Sequence, residues 1–175
     1  MYGLQLGTAS GFGRLFPKYT WTNFKGYRYE RAPMIPIERF RKLAIKRGLT
    51  PGALLDASPE DFHLLLLSLR REFAIAREYN ERDVNELIAS WLSTAGGMLD
   101  VDHVELRRWL VDMAILSRDV YGRAYAVAPL PAHLSRLDAD IAQLDFAREF
   151  ADANAREFQK RAARKSAWQQ TKGVT

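Results

Sequence analysis

Residues 102–127 read DHVELRRWLVDMAILSRDVYGRAYAV, and their reading decides the fold. Asp102 with Glu105 three residues on is a helix start of the capping-box kind. Leu106, Trp109, Leu110 and Met113 recur at helical spacing, which predicts a helix from His103 to about Ala114. The period then changes. Ile115–Arg118 and Arg123–Val127 read as two short strands, the second alternating Tyr125 and Val127 with Ala124 and Ala126. Asp119–Gly122 is the turn between them, and Gly122 suits a positive φ.

The pattern extends upstream. Ser58-Pro59-Glu60-Asp61 predicts a helix start with a hydroxyl N-cap, proline at N1 and acids on the positive end of the dipole. Phe62, Leu65, Leu66, Leu69 and Phe73 supply its apolar stripe. Arg70-Arg71 reads as a solvated face and His63 as a boundary residue. A short extended piece follows around Ile75–Tyr79. Asn80 then caps a helix over Glu81–Ser93, with Val84, Leu87, Ile88, Trp91 and Leu92 on one side and Gly96-Gly97 as its stop. Helix, strand, helix, helix, hairpin is the order of a winged helix-turn-helix, with His103–Ala114 as the recognition helix. The expected fold is therefore mostly α: a winged helix-turn-helix core over residues 58–130, a small β-hairpin and a long C-terminal helix.

The flanks read differently. Residues 34–57 form a helical lead-in, with Ile37, Phe40, Leu43 and Ala44 on one face, Gly48 as a stop, and Thr50-Pro51 opening a short turn of helix over Ala53–Leu55. Residues 131–175 read as one long helix, from Ala132 to about Trp168, and a basic tail. Leu134, Leu137, Ile141 and Leu144 open a heptad seam, while Phe146 and Phe150 form another apolar side; such a helix needs a partner, either the domain body or a second copy of the chain. Residues 1–33 hold 8 of the 20 aromatics and five glycines without a sustained period. They read either as a basic-aromatic arm or as upstream sequence translated ahead of a true initiator at Met34. The glycines there do not make a phosphate loop.

Net charge is +5 over 175 residues, and it is unevenly placed. Residues 1–33 carry 5 basic and 1 acidic residue, and residues 159–175 carry 5 basic and no acidic residue. Residues 81–130 hold 5 basic and 8 acidic residues. The candidate reader of DNA thus lies in an acidic stretch, with the basic ends supplying non-specific attraction. With no Cys, thiol catalysis, disulfides and Cys-bound zinc are excluded. No apolar run predicts a membrane span, and no secretory signal is recognised at the N-terminus; a cytoplasmic location is expected. The three histidines lack ligand spacing. Asp100-x-Asp102 and Asp138-x-Asp140 are explained by helix starts, so neither an enzyme activity nor a cofactor is expected.

Three stretches carry a family resemblance: Tyr79-Asn80-Glu81-Arg82-Asp83-Val84-Asn85-Glu86-Leu87, Asp102-His103-Val104-Glu105-Leu106-Arg107-Arg108-Trp109-Leu110-Val111-Asp112, and Leu116-Ser117-Arg118-Asp119 with Gly122-Arg123-Ala124-Tyr125. Together, over about residues 62–127, they resemble the bacterial domain-of-unknown-function family 2087. The resemblance implies a domain found in some transcriptional regulators, without an assigned biochemical activity. Met113-Ala114 departs from it where such domains often have an aromatic-Gly pair, which puts the tightness of the helix-to-strand turn in question.

The expected partner is double-stranded DNA. His103, Arg107 and Arg108 on the recognition helix, and Arg118 and Arg123 beside the hairpin turn, are the candidate binding residues. The competing reading pairs Arg108 with Glu105 and Asp112 along the helix, leaving a winged-helix module for protein partners.

Overall fold

The computed structural model describes residues 36–172, with side chains as far as Gln169. The arm read over residues 1–33 lies outside the described residues. In chain order the elements are α1 (Pro36–Ala44), α2 (Pro51–Ala57), α3 (Pro59–Arg70), β1 (Glu78–Tyr79), α4 (Glu81–Ser93), α5 (His103–Asp112), β2 (Leu116–Arg118), β3 (Tyr125–Val127), α6 (Ala132–Asp140) and α7 (Phe146–Lys172). The protein is mostly helical, with a small antiparallel sheet and a long C-terminal helix. The sheet runs β1-β3-β2. The hairpin pairs Leu116 with Val127 and Arg118 with Tyr125, and the extended piece before α4 joins as a third strand, Tyr79 opposite Tyr125.

α3 is the axis of the core. Its residues from Phe62 to Leu69 are all buried, so Leu64 and Leu67 join the predicted stripe. Such all-round burial marks a central helix rather than a surface one. Phe62 meets the Trp109 ring edge-on at 5.2 Å, tying α3 to α5. Phe73 meets Tyr79 at 5.3 Å, and the Tyr79 hydroxyl accepts from the Ala74 amide at 2.6 Å, fixing the turn into β1.

Asn80 caps α4 as read, and Asp102 caps α5 without the returning Glu105 bond of a full capping box. Asn80 Oδ1 accepts from the Asp83 amide at 2.9 Å, and Asp102 Oδ1 accepts from that of Glu105 at 2.7 Å. Ser58 does not cap α3 with its hydroxyl. It is also the C-cap of α2, its amide bound to the Leu54 carbonyl at 2.8 Å, and its φ of −157° and ψ of 83° turn the side chain away. Its Oγ accepts from Arg39 at 3.3 Å instead, on a guanidinium that also holds Glu60 and Asp61.

The single helix expected over 132–168 is two helices. α6 stops at Asp140, Ile141 turns fully into the core, and Asp145 restarts the chain by accepting from the Arg148 amide at 3.0 Å. The cause lies at the end of α3. Arg71 donates to the carbonyls of Asp138 at 2.7 Å and Ala142 at 3.2 Å, satisfying groups that a continuing helix would have used. Arg70 reaches Asp138 at 3.6 Å and the Ala128 carbonyl at 3.4 Å. The two arginines are therefore ties and not a solvated face. The interruption also removes the continuous heptad on which pairing with a second copy was expected.

α7 docks on α1 through the side read as a second apolar face. Phe146 packs edge-on against Phe40 at 4.8 Å, and Ala153 is buried. Arg41 binds Glu149 at 2.7 Å, and Asn154 donates to the Ala44 carbonyl at 3.1 Å. His63 is buried, not at a boundary. It lies edge-on to His133 at 6.1 Å between ring centres.

Candidate nucleic-acid interface

The candidate residues lie on α5 and on the hairpin that follows it. Three physical devices position them. The first is the Asp102 cap, whose carboxyl is held below the usual range by the Glu105 amide. The second is the end of α5. The Ile115 amide bonds to the Leu110 carbonyl at 2.8 Å, and the Ala114 amide bonds to that of Val111 at 3.0 Å. This is a Schellman end, with Ala114 in the left-handed position at φ +52°. The turn from helix to strand is therefore tight without the glycine whose absence the sequence flagged. The third device is the hairpin turn. Asp119 Oδ1 accepts from the amides of Arg123 at 2.6 Å and Ala124 at 3.1 Å, Gly122 takes φ +73°, and those amide bonds hold the Asp119 carboxyl low.

The five candidates do not form one group. Arg107 is withdrawn from the surface. Its side chain is 12% exposed and binds Asn85 Oδ1 at 2.5 Å and Glu81 Oε1 at 2.8 Å, both on α4. Its guanidinium also lies 5.9 Å from the Tyr125 ring centre. It is a strut joining α4, α5 and β3, and is not offered to a phosphate. The reason is geometric: from the middle of α5, its side faces the N-terminal turn of α4, which carries Glu81. His103 is half-buried in the first turn of α5.

Arg108 is exposed, and the ion pairs with Glu105 and Asp112 that would have occupied it are absent among the described residues. Glu105 instead lies 3.4 Å from the Trp109 indole nitrogen. Arg108 and Arg118 both act electrostatically on the half-buried Asp112, whose carboxyl is pushed up by burial more than the two cations lower it. Arg118 and Arg123 are exposed on the hairpin, Arg123 with its guanidinium 5.0 Å above the Tyr121 ring. The structure thus sets Arg108 and Arg118 both within electrostatic reach of Asp112, places Arg123 on the same hairpin as Arg118, and removes Arg107.

One feature of this surface was missed in the sequence. Val120 and Tyr121, at the tip of the turn, are 92% and 75% exposed. Two apolar residues inside a four-residue turn were the available signal, since a turn tip cannot bury them against its own strands. No helix of the described residues is long and apolar enough to cross a membrane.

Residues 56–127 match the model of domain-of-unknown-function family 2087, described as an uncharacterized protein conserved in bacteria. The match runs from the end of α2 to the end of β3 and contains α5 and the hairpin whole. It is the family that the three sequence stretches resemble. No curated protein and no solved structure matches the chain significantly.

Proposed function

We propose, taking residues 56–127 as a domain of family 2087, that this segment is a winged helix-turn-helix which binds double-stranded DNA in the cytoplasm, in transcriptional control. It acts by binding and not by catalysis. The supporting arrangement is α3, β1, α4, α5 and the β2–β3 hairpin, with β3 between β1 and β2. In this reading α5 enters the major groove and the hairpin lies along the backbone.

One observation carries the reading. Arg108, Arg118 and Arg123 are exposed and have no carboxylate within ion-pair distance among the described residues. Arg39, Arg41, Arg70, Arg71 and Arg107, which join elements of the body, are all paired. Cations without an ion-pair partner on adjoining elements can neutralise phosphates without first breaking a salt bridge.

The test is binding of a duplex at two salt concentrations. Three phosphate contacts give a slope of log K on log salt of about −3. The variant with Arg108, Arg118 and Arg123 all changed to Ala is expected to lower the magnitude of the measured slope by about 3. An unchanged slope in this variant sinks the assignment.

The exposed Val120–Tyr121 tip favours a second reading, a module that docks on a protein partner through the hairpin. That reading gains if duplex binding is absent and a captured partner is lost on changing both tip residues to Ser.

A further inference from the structure

α7 has two halves with different chemistry. Successive residues on its body-facing row are Phe146, Phe150, Ala153, Glu157, Arg161 and Arg164, spaced three or four apart. The first three are buried or half-buried against the body. Beyond Glu157 every side chain from Phe158 to Gln169 is exposed. The row changes from apolar to basic where the body ends.

The outer half is helical without burial. Ala155, Ala162, Ala163 and Ala167 favour a helix intrinsically, and the docked half supplies the nucleus. Its cations are Arg156, Lys160, Arg161, Arg164 and Lys165, against one acid, Glu157. Arg156, Lys160 and Arg164 follow at four-residue steps, and Arg161 and Lys165 run beside them, so all five fall within about half of the circumference. Glu157 is already bound by Arg161 at 2.9 Å. Where this half leaves the body, a groove of about 320 Å³ opens between it and the loop after α1. Ile45, Arg47, Asn154, Glu157, Phe158 and Arg161 line it. Arg47 donates to Asn154 at 2.6 Å and adds its charge to the groove.

We propose that this notch and the basic row of outer α7 hold the phosphate backbone of duplex DNA, as a second contact separate from α5 and the hairpin. The identity of the ligand rests on the function proposed above; the site does not. Charge selects the occupant. A second copy of the same helix would set like charges against each other. A membrane surface would need an apolar face opposite the cations, and here Trp168 falls within the arc of the cations and Phe158 at its edge, with alanine, serine and glutamine filling the rest. Residues 155–169 span about 22 Å at about 1.5 Å per residue. A length of about 22 Å of duplex axis carries about six phosphates on each strand, at about 3.4 Å of axis per phosphate.

The test uses the full chain and a random-sequence duplex. Arg156, Lys160, Arg164 and Lys165 are changed together to Gln, which keeps helix propensity and leaves the Glu157–Arg161 pair in place; helicity is checked by circular dichroism. The salt slope is expected to fall by about 3.6, from the four lost cations. A slope equal to that of the parent overturns the second site and leaves the α5–hairpin reading standing. If the Arg108, Arg118, Arg123 variant keeps the parental slope and the α7 variant loses it, the second site stands and the α5–hairpin reading fails. A parent that binds no duplex, or binds anionic phosphatidylserine vesicles in its place, overturns both.

Discussion

Adjacent arginines on α5 have opposite roles, and the difference is measurable. Arg107 is half-buried against Asn85, Glu81 and the Tyr125 ring, while Arg108 meets solvent. Removing Arg107 strands the Asn85 amide oxygen and loosens α4 from α5. Arg107→Ala is expected to cost about 1.5–3 kcal/mol, the range for a charge-assisted hydrogen bond. Arg108→Ala is expected to leave stability unchanged and to alter only binding. Chemical denaturation of both variants decides this, and equal stabilities would show that Arg107 is no strut. His63 makes a second residue-scale prediction. Burial, with a smaller contribution from the His133 charge, lowers its pKa from 6.5 to about 4. The unfolded chain therefore binds the extra proton between these values. The contribution to stability is complete above pH 6.5 and is lost as pH falls towards 4, on the order of 3 kcal/mol in all. His63→Gln should flatten the fall in denaturation free energy between pH 7 and pH 4.5 relative to the parent. Parallel curves would mean that His63 is not the group titrating.

At the scale of elements, what could be read was what local chemistry fixes. α4 begins at Glu81 because Asn80 caps it, and it ends where Gly96 lets the chain pass against Trp91. A Cβ there would lie 2.2 Å from the indole ring. The hairpin follows from Asp119 and Gly122 in the same way. Among the site residues, Arg118 and Arg123 were legible because the turn alone exposes them. The capture of Arg107 was not, because its partners sit on α4, more than twenty residues away. The break between α6 and α7 escaped the sequence for the same reason: Arg71 makes it from a distance. The end of α5 lies between these cases. Its closure was local, yet Ala114 stood where glycine is favoured. An L-residue in the left-handed region costs about 1–2 kcal/mol, of which glycine's greater freedom when unfolded returns part. Ala114→Gly is therefore expected to stabilise the protein by about 0.5–1 kcal/mol. Urea denaturation checks it, and a midpoint at or below the parent's would show that the turn carries no strain.

For the whole molecule, the distribution of charge and the distribution of packing meet in α7. The matched family segment ends at Val127, yet the core does not, because Phe146 closes over Phe40 and Glu149 and Asn154 fasten to α1. The lead-in helix and the first third of α7 thus cover each other on a domain that neither belongs to by sequence. Beyond Glu157, α7 adds charge on exposed side chains. Stability and charge should therefore separate along the chain. Ending the chain after Arg161 removes only exposed side chains among those described, together with Arg164, Lys165 and Lys172. Denaturation is expected to match the full chain within about 0.5 kcal/mol, as for surface changes generally. Ending it after Asp145 removes Phe146 from the core, a loss of about 3–5 kcal/mol before the Arg41 and Asn154 contacts are considered. That is a large part of the 5–15 kcal/mol typical of a domain. The shorter chain is expected to be largely unfolded or aggregated, as read by circular dichroism and light scattering. A stable, folded chain ending at Asp145 would mean that α7 lies on the surface of α1 without closing its core. A marked loss of stability on ending at Arg161 would mean that the outer half is held by contacts and not displayed.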